Sequence, residues 1–378
     1  MTAGGSLRAL AVVDLGAVER NCARLRAELA EGATLGVVVK ANGYGHGAVE
    51  CARAAIAGGA DWLMVAAAAE AAELRAALPG ARLLTMGALT APELDVALGA
   101  GSEIAAWRSE FADLAAERGT ELGIRPRLHV KHDSGMGRLG ERDPESVLRL
   151  CERVAADARL ELASVWTHFA TADDPRSDFF DRQLESFTAV AERVRASHGD
   201  LLVHAANSAA TLRDPAAHFD LVRCGIAIYG LDPYGRDPLA RRLEPALELG
   251  SYVADVKLFE AGASAGYGRT WRAPAQRWVG VVPIGYGDGV RRALSNNADV
   301  LVQGRRYPLV GTISMDNVTI DLGPERAVEP GAAAVLIGLQ GGERILCEEV
   351  AARIGTINYE IACGISPRVP RRYVRSAA

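Results

Sequence analysis

The 378-residue sequence predicts an α/β fold, a (β/α)8 TIM-type barrel with a C-terminal mainly-β domain. Three observations predict it. From about residue 14, short apolar runs alternate with alanine-rich amphipathic stretches, the rhythm of a parallel sheet with helical crossovers. Eight strand-like runs fall between residues 34 and 229, which suits a closed barrel better than an open doubly wound sheet. After about residue 240 the helical stretches give way to closely spaced strand-like runs with glycine-rich turns.

In chain order, the barrel strands are expected at 34–40, 61–66, 82–87, 103–107, 126–131, 163–168, 201–205 and 220–229. Each is a short, mostly apolar run, as a strand buried on both faces requires. Helical spacing marks stretches between them, at Ala91–Leu98, Arg108–Glu117, Ser146–Ala158 and Phe179–Ala196. Later strands are expected at Tyr252–Phe259, Trp278–Ile284, Val300–Val302, Val318–Leu322 and Ala333–Leu339, with one helix at Glu348–Ile354. The domains are therefore drawn as 14–240 and 241–378, with residues 1–13 an added strand packing on the second.

A net charge of −5, with arginines scattered among acids, leaves no footprint for nucleic acid or an anionic membrane. Six dispersed cysteines form no CxxC pair and seven histidines lack metal-ligand spacing, so reduced thiols and no metal are expected. No run is long enough to cross a bilayer and the N-terminus has no basic leader, so a cytoplasmic protein is expected.

The residues that need explaining sit at strand ends. Lys40 closes Leu35-Gly36-Val37-Val38-Val39 and opens Lys40-Ala41-Asn42-Gly43-Tyr44-Gly45-His46-Gly47. A lysine at the lip of a core either reaches water from a tight turn or has its amine pKa lowered enough to act as a nucleophile. Lys131-His132-Asp133 ends the fifth strand and leads to Arg138, and Thr167-His168 ends the sixth. Asn207-Ser208 follows the seventh, and Arg223 runs into Cys224-Gly225-Ile226 in the eighth. In a barrel these positions meet at the C-terminal face, where active sites lie, with a phosphate site favoured near strands seven and eight. Asn207, Ser208 and the amides around Gly225 are suitable phosphate donors. A lysine amine opposite a phosphate site suggests pyridoxal phosphate.

Longer motifs then name a family. They are Val38 to Gly47, His129 to Gly140 (HVKHDSGMGRLG), Thr167 to Ala170, Ala206 to Ala210 and Arg223 to Gly230. Beyond the barrel come Gly266-Tyr267-Gly268-Arg269-Thr270-Trp271, Gly285 to Gly289, Ser314-Met315-Asp316 and Asn358-Tyr359-Glu360. In this order and over nearly the whole length, the chain resembles the bacterial alanine racemases, barrel-type pyridoxal phosphate enzymes of fold type III.

The resemblance implies a homodimer that interconverts L- and D-alanine, supplying D-alanine for peptidoglycan. Lys40 is then the Schiff-base lysine and one catalytic base, and Tyr267, reaching in from the partner subunit, is the other. Arg223 faces the pyridine nitrogen, His168 supports the phenolate of Tyr267, and Arg138 meets the substrate carboxylate. Lys131 occupies the place of a carbamylated lysine (N6-carboxylysine). Tyr44, Ser208, Gly225, Ile226 and Tyr359 match the phosphate contacts, with Asn207 beside them. Tyr286, Met315 and Asp316 match the substrate entrance, Met315 also touching substrate. Gly43, Ser134, Ser314 and Asn317 depart from the residues frequent at those places. The rival readings are a serine or broad-specificity racemase, a barrel-type decarboxylase, a non-catalytic pyridoxal phosphate-binding protein and a purely structural barrel.

Overall fold

The structure is a computed structural model that describes residues Leu7–Ser376. Its chain divides into two compact units. One comprises Glu19–Gly43 and Ala48–Ile228; the other comprises the residues up to Val18, Tyr44–Gly47 and the chain from Tyr229 onward.

The first unit is a closed parallel barrel whose eight strands pair in sequence order. They are Thr34–Val38, Trp62–Val65, Leu83–Thr85, Ser102–Ala106, Arg127–Lys131, Glu161–Trp166, Leu202–Asn207 and Leu221–Cys224, so every expected barrel strand is present. The last closes on the first, with Gly36 opposite Arg223. A Cβ at Gly36 would stand 2.7 Å from Val222 O and 2.4 Å from the Met64 side chain, so the seam closes only around glycine. Helices cross over between strands, and their ends follow local chemistry. Thr90 N and Oγ1 both donate to Glu93, which opens the helix Ala91–Gly99. Asp143 accepts from Ser146 N ahead of Pro144 at the start of Pro144–Ala156. The expected strand 220–229 is shorter. It stops at Cys224, and Ile226–Tyr229 forms a 3-10 turn instead.

The second unit is mainly β. Among the described residues its large sheet runs in the order Asp255–Phe259, Arg277–Val282, Val318–Gly323, Arg305–Val310, Asp299–Val302, Ala333–Gln340, Leu247–Tyr252, Leu10–Asp14 and Arg371–Val374. Glu343–Ile345 pairs beside Ala333–Gln340. Leu10–Asp14 lies antiparallel to Leu247–Tyr252 and parallel to Arg371–Val374. Residues 1–6 of the expected added strand lie outside the described residues. The expected strand at Tyr252–Phe259 is two strands, because the chain changes partner there. Val253 N donates to Ala332 O, while Ala254 N donates to Val281 O. Arg305–Val310 escapes the sequence pattern because Pro308 interrupts it, yet Pro308 sits opposite Asp299 in the ladder.

Candidate active site

Lys40 stands just past the first barrel strand, and the chain after it coils the unusual way. Ala41 (φ 51°, ψ 48°), Asn42 (φ 53°, ψ 52°) and Gly43 (φ 61°, ψ 44°) all occupy the left-handed region. For a residue with a Cβ that costs roughly 1–2 kcal/mol, so something must hold it. Glu70 Oε1 accepts from Ala41 N at 2.6 Å, and its other oxygen takes the amides of Ala66 and Ala67 at 3.0 Å. Asn42 Oδ1 accepts from Ala48 N at 3.0 Å, and Gly43 N donates to Val39 O at 2.8 Å. A carboxylate on the neighbouring helix thus clamps the turn that presents the lysine.

The fifth strand carries Lys131 into the barrel, where it is 2% exposed. Its ammonium lies 4.5 Å from the centre of the Trp166 ring. Burial, then the positive charges of Arg138, Arg223 and Lys40, lower its pKa to about 7 against the opposing charge of Asp133. Arg223, 3% exposed, lies 4.8 Å from the same ring. Its guanidinium donates to Thr167 O (2.7 Å), Ala205 O (2.8 Å), His204 Nδ1 (2.7 Å) and His168 Nδ1 (3.2 Å). Burial holds it down at about 9, still charged at neutral pH.

His168 is half-buried and its pKa is pushed well below the usual imidazole range, by burial and then by Arg223, Lys131, Arg138 and Lys40. Since Arg223 occupies Nδ1 as donor, the neutral ring keeps its proton on Nε2. His168 therefore offers one N–H, not a full positive charge. Arg138 is exposed, at the end of the loop that leaves the fifth strand.

The end of the seventh strand supplies a second cluster. Asn207 caps the helix Ser208–Arg213, accepting from Ala210 N at 3.0 Å. Ser208, 2% exposed, accepts at Oγ from the amides of Gly225 (2.9 Å) and Ala227 (3.4 Å). Two bonds received leave the serine its own hydroxyl proton to give.

The remaining expected residues belong to the second unit. Tyr44 lies 5.2 Å from Tyr229 and 6.0 Å from Tyr359, ring centre to ring centre. Tyr267 follows Gly266 (φ 72°), where a Cβ would meet Thr312 N at 2.8 Å, and is 72% exposed. Tyr286 and Met315 are exposed on two loops tied together by Tyr286 N to Ser314 O (3.0 Å) and Gly287 N to Met315 O (2.9 Å). Beneath them, fully buried Asp288 receives Arg8 through both oxygens. Asp316 accepts from Arg368 at 2.7 Å. Ser314 Oγ is used inside its own loop, on Asn317.

Sequence reading assigns no role to His129, Ser164, Trp166 and His204, which line the barrel under Arg223. The signal was available. His129 with Lys131, and Ser164 with Trp166, each sit two residues apart and so share a strand face.

A closed α/β barrel whose strand ends gather lysine, arginine and serine has the architecture of the barrel-class enzymes. Residues 13–233 match the family model for the alanine racemase N-terminal domain, and residues 246–373 match that for the C-terminal domain. Alanine racemase of Symbiobacterium thermophilum is 42% identical over 364 residues, covering 96% of each chain. The crystal structure of alanine racemase from D-cycloserine-producing Streptomyces lavendulae superposes with a TM-score of 0.93 at 36% identity, covering 99% of this chain and 98% of that one. The enzyme from Bartonella henselae, with covalently bound pyridoxal phosphate, has a TM-score of 0.86 at 27% identity, covering 98% of this chain and 100% of that one. The chain belongs to the alanine racemase family, whose members are isomerases. Among the described residues, no helix is long and apolar enough to cross a membrane.

Proposed function

We propose that the enzyme racemises alanine with pyridoxal phosphate, using one base from each of two subunits. One observation carries the cofactor assignment. Lys40, Lys131, Arg138 and Arg223 act together at one barrel mouth, with Asp133 opposing them at Lys131. Such a surplus of positive charge suits a guest bearing phosphate and carboxylate groups. The barrel's Ser208, Asn207, Gly225 and Ile226, together with Tyr44 and Tyr359, would hold the phosphate.

When bound, pyridoxal phosphate supplies the electron sink that acidifies the substrate α-proton. Lys40 would hold the cofactor through its amine and move a proton at one face of the substrate Cα. Tyr267 of the partner subunit would move a proton at the other face, since inversion needs two opposed groups. Arg223 would face the ring nitrogen, where a guanidinium that is charged at neutral pH would discourage protonation. His168 would stabilise the phenolate by giving it Nε2–H. Arg138 would receive the substrate carboxylate, and Tyr286, Met315 and Asp316 would border the entrance.

Lys131 would carry a carbamate. An amine lowered to about 7 is substantially neutral at physiological pH, as attack on CO2 requires. The N–C bond forms, an N–H proton leaves to solvent, and an anion remains to balance the arginines. The homodimer, a cytoplasmic location and supply of D-alanine to the cell wall complete the reading, with 14–240 as the cofactor-binding domain.

Absorbance of protein expressed with pyridoxal phosphate, borohydride trapping mapped to Lys40, and D-alanine formation test it together. A colourless protein that turns over no alanine rejects it. Comparing kcat/KM for alanine and serine measures its breadth; equal values would move the reading to a broad-specificity racemase.

A further inference from the structure

The barrel interior beneath Arg223 is polar, and its polar atoms form one directed chain. Arg223 Nη1 donates to His204 Nδ1 at 2.7 Å. A guanidinium has no acceptor, so this nitrogen carries no proton and the neutral ring keeps its proton on Nε2. His204 Nε2 stands 2.9 Å from His129 Nδ1 and donates there, with Ser164 Oγ alongside at 3.1 Å. His129 in turn bears its proton on Nε2 and donates to Glu103 Oε2 at 2.8 Å. The other carboxylate oxygen of Glu103 accepts from Arg82 Nε (3.0 Å) and Arg127 Nη1 (2.9 Å).

Both imidazoles are fully buried and Glu103 is 5% exposed. Burial pushes both rings below the usual histidine range, so they stay neutral with one proton each. Every proton in the chain then points the same way, from Arg223 toward Glu103. Reversing it would turn a His204 N–H onto an Arg223 N–H. The direction is set at both ends, by a guanidinium that can only donate and a carboxylate that can only accept.

We infer that Glu103, His129 and His204 are positioning residues for Arg223: the Glu103 carboxylate orients both rings so that the guanidinium always meets an acceptor. The role in turnover rests on the proposed placing of Arg223 against the cofactor ring. Glu103→Gln tests it with little change of shape. Two arginines face one oxygen position, so the amide oxygen is drawn to them and the NH2 group turns to His129. His129 then carries its proton on Nδ1, facing the His204 N–H that Arg223 still fixes, so the line breaks between the two rings. Glu103→Asp keeps a carboxylate and the original direction.

In holoenzyme labelled with 15N-histidine, wild type and Glu103→Asp should carry the proton of His129 and His204 on Nε2, and Glu103→Gln should move that of His129 to Nδ1. For alanine, kcat should fall about 10- to 100-fold in Glu103→Gln, the scale of one charge-assisted hydrogen bond, with KM within about threefold. The cofactor absorbance band should shift in that variant alone, and Glu103→Asp should keep kcat within about threefold of wild type. Protons on Nδ1 in wild type would overturn the chain itself, whether or not the glutamine variant folds. A His129 proton that stays on Nε2 in Glu103→Gln, or one that moves to Nδ1 at unchanged kcat, would overturn the positioning role. A wild-type protein that holds no cofactor defeats the racemase reading and the role in turnover, and the proton positions still report on the chain.

Discussion

The barrel mouth and the loops of the second unit prepare their functional groups in contrasting ways. At the mouth, Lys131 and Arg223 are almost fully buried, and burial lowers both pKa values before any neighbour acts. Both shifts are built into the folded chain itself. In the second unit Tyr267 is 72% exposed, and Met315 is 51% exposed. Groups of the first kind need only the fold, whereas groups of the second kind need something laid against them. The proposed dimer with shared sites would supply it.

The largest effect should come from mixing subunits. Lys40→Ala and Tyr267→Phe are each expected to lose about a hundred- to ten-thousand-fold in kcat, as a missing acid–base group does. Equal amounts of the two, dissociated and reassociated, should recover about a quarter of wild-type activity, because each mixed dimer keeps one whole site. No recovery on mixing, with mixed dimers confirmed by mass, would place both bases in one subunit.

Stability should separate the regions next. Arg223→Met strips a donor from His204, His168 and two backbone carbonyls, and is expected to cost about 3 kcal/mol or more in thermal or urea unfolding. Tyr267→Phe, so exposed, should stay within about 0.5 kcal/mol of wild type. A comparable loss from both would erase the contrast.

Lys131 gives a pH signature. In the folded state burial lowers its amine from 10.5 to about 7, so between these values the unfolded chain binds more protons. Stability should therefore rise with pH through that window, and below it the penalty is fully present. In CO2-free buffer Lys131→Met should flatten that rise, and in ordinary buffer it should lower kcat/KM about 10- to 100-fold by loosening Arg138. An unchanged slope would mean that the amine is not desolvated.

The smallest effect is expected at Arg368. Its pair with Asp316 is surface-exposed, so Arg368→Gln should raise KM for alanine by no more than about fivefold and leave kcat alone. A large fall in kcat would show that the entrance loops, too, are held in a reactive geometry by their own unit.

Much of this was legible beforehand, and the misses share a cause. All eight barrel strands stood out because strands buried on both faces are written as short apolar runs. Arg305–Val310 did not, since arginines and a proline hide a strand that only its neighbours complete. Lys40, Lys131, His168 and Arg223 drew attention as polar residues at strand ends. Glu103, His129 and His204 lie deeper, and a lone histidine within an apolar run reads as packing until its partner is known.

What the sequence determined by itself was the order of elements, the strand ends at which chemistry collects and the family to which the chain belongs. Those depend on local periodicity and on motifs that are contiguous along the chain. Only the tertiary structure decided which side chains meet. Glu103, His129 and His204 are far apart in sequence, and barrel closure brings them into one hydrogen-bonded line beneath Arg223. The same closure excludes water around Lys131, and desolvation, which no run of residues encodes locally, sets its pKa.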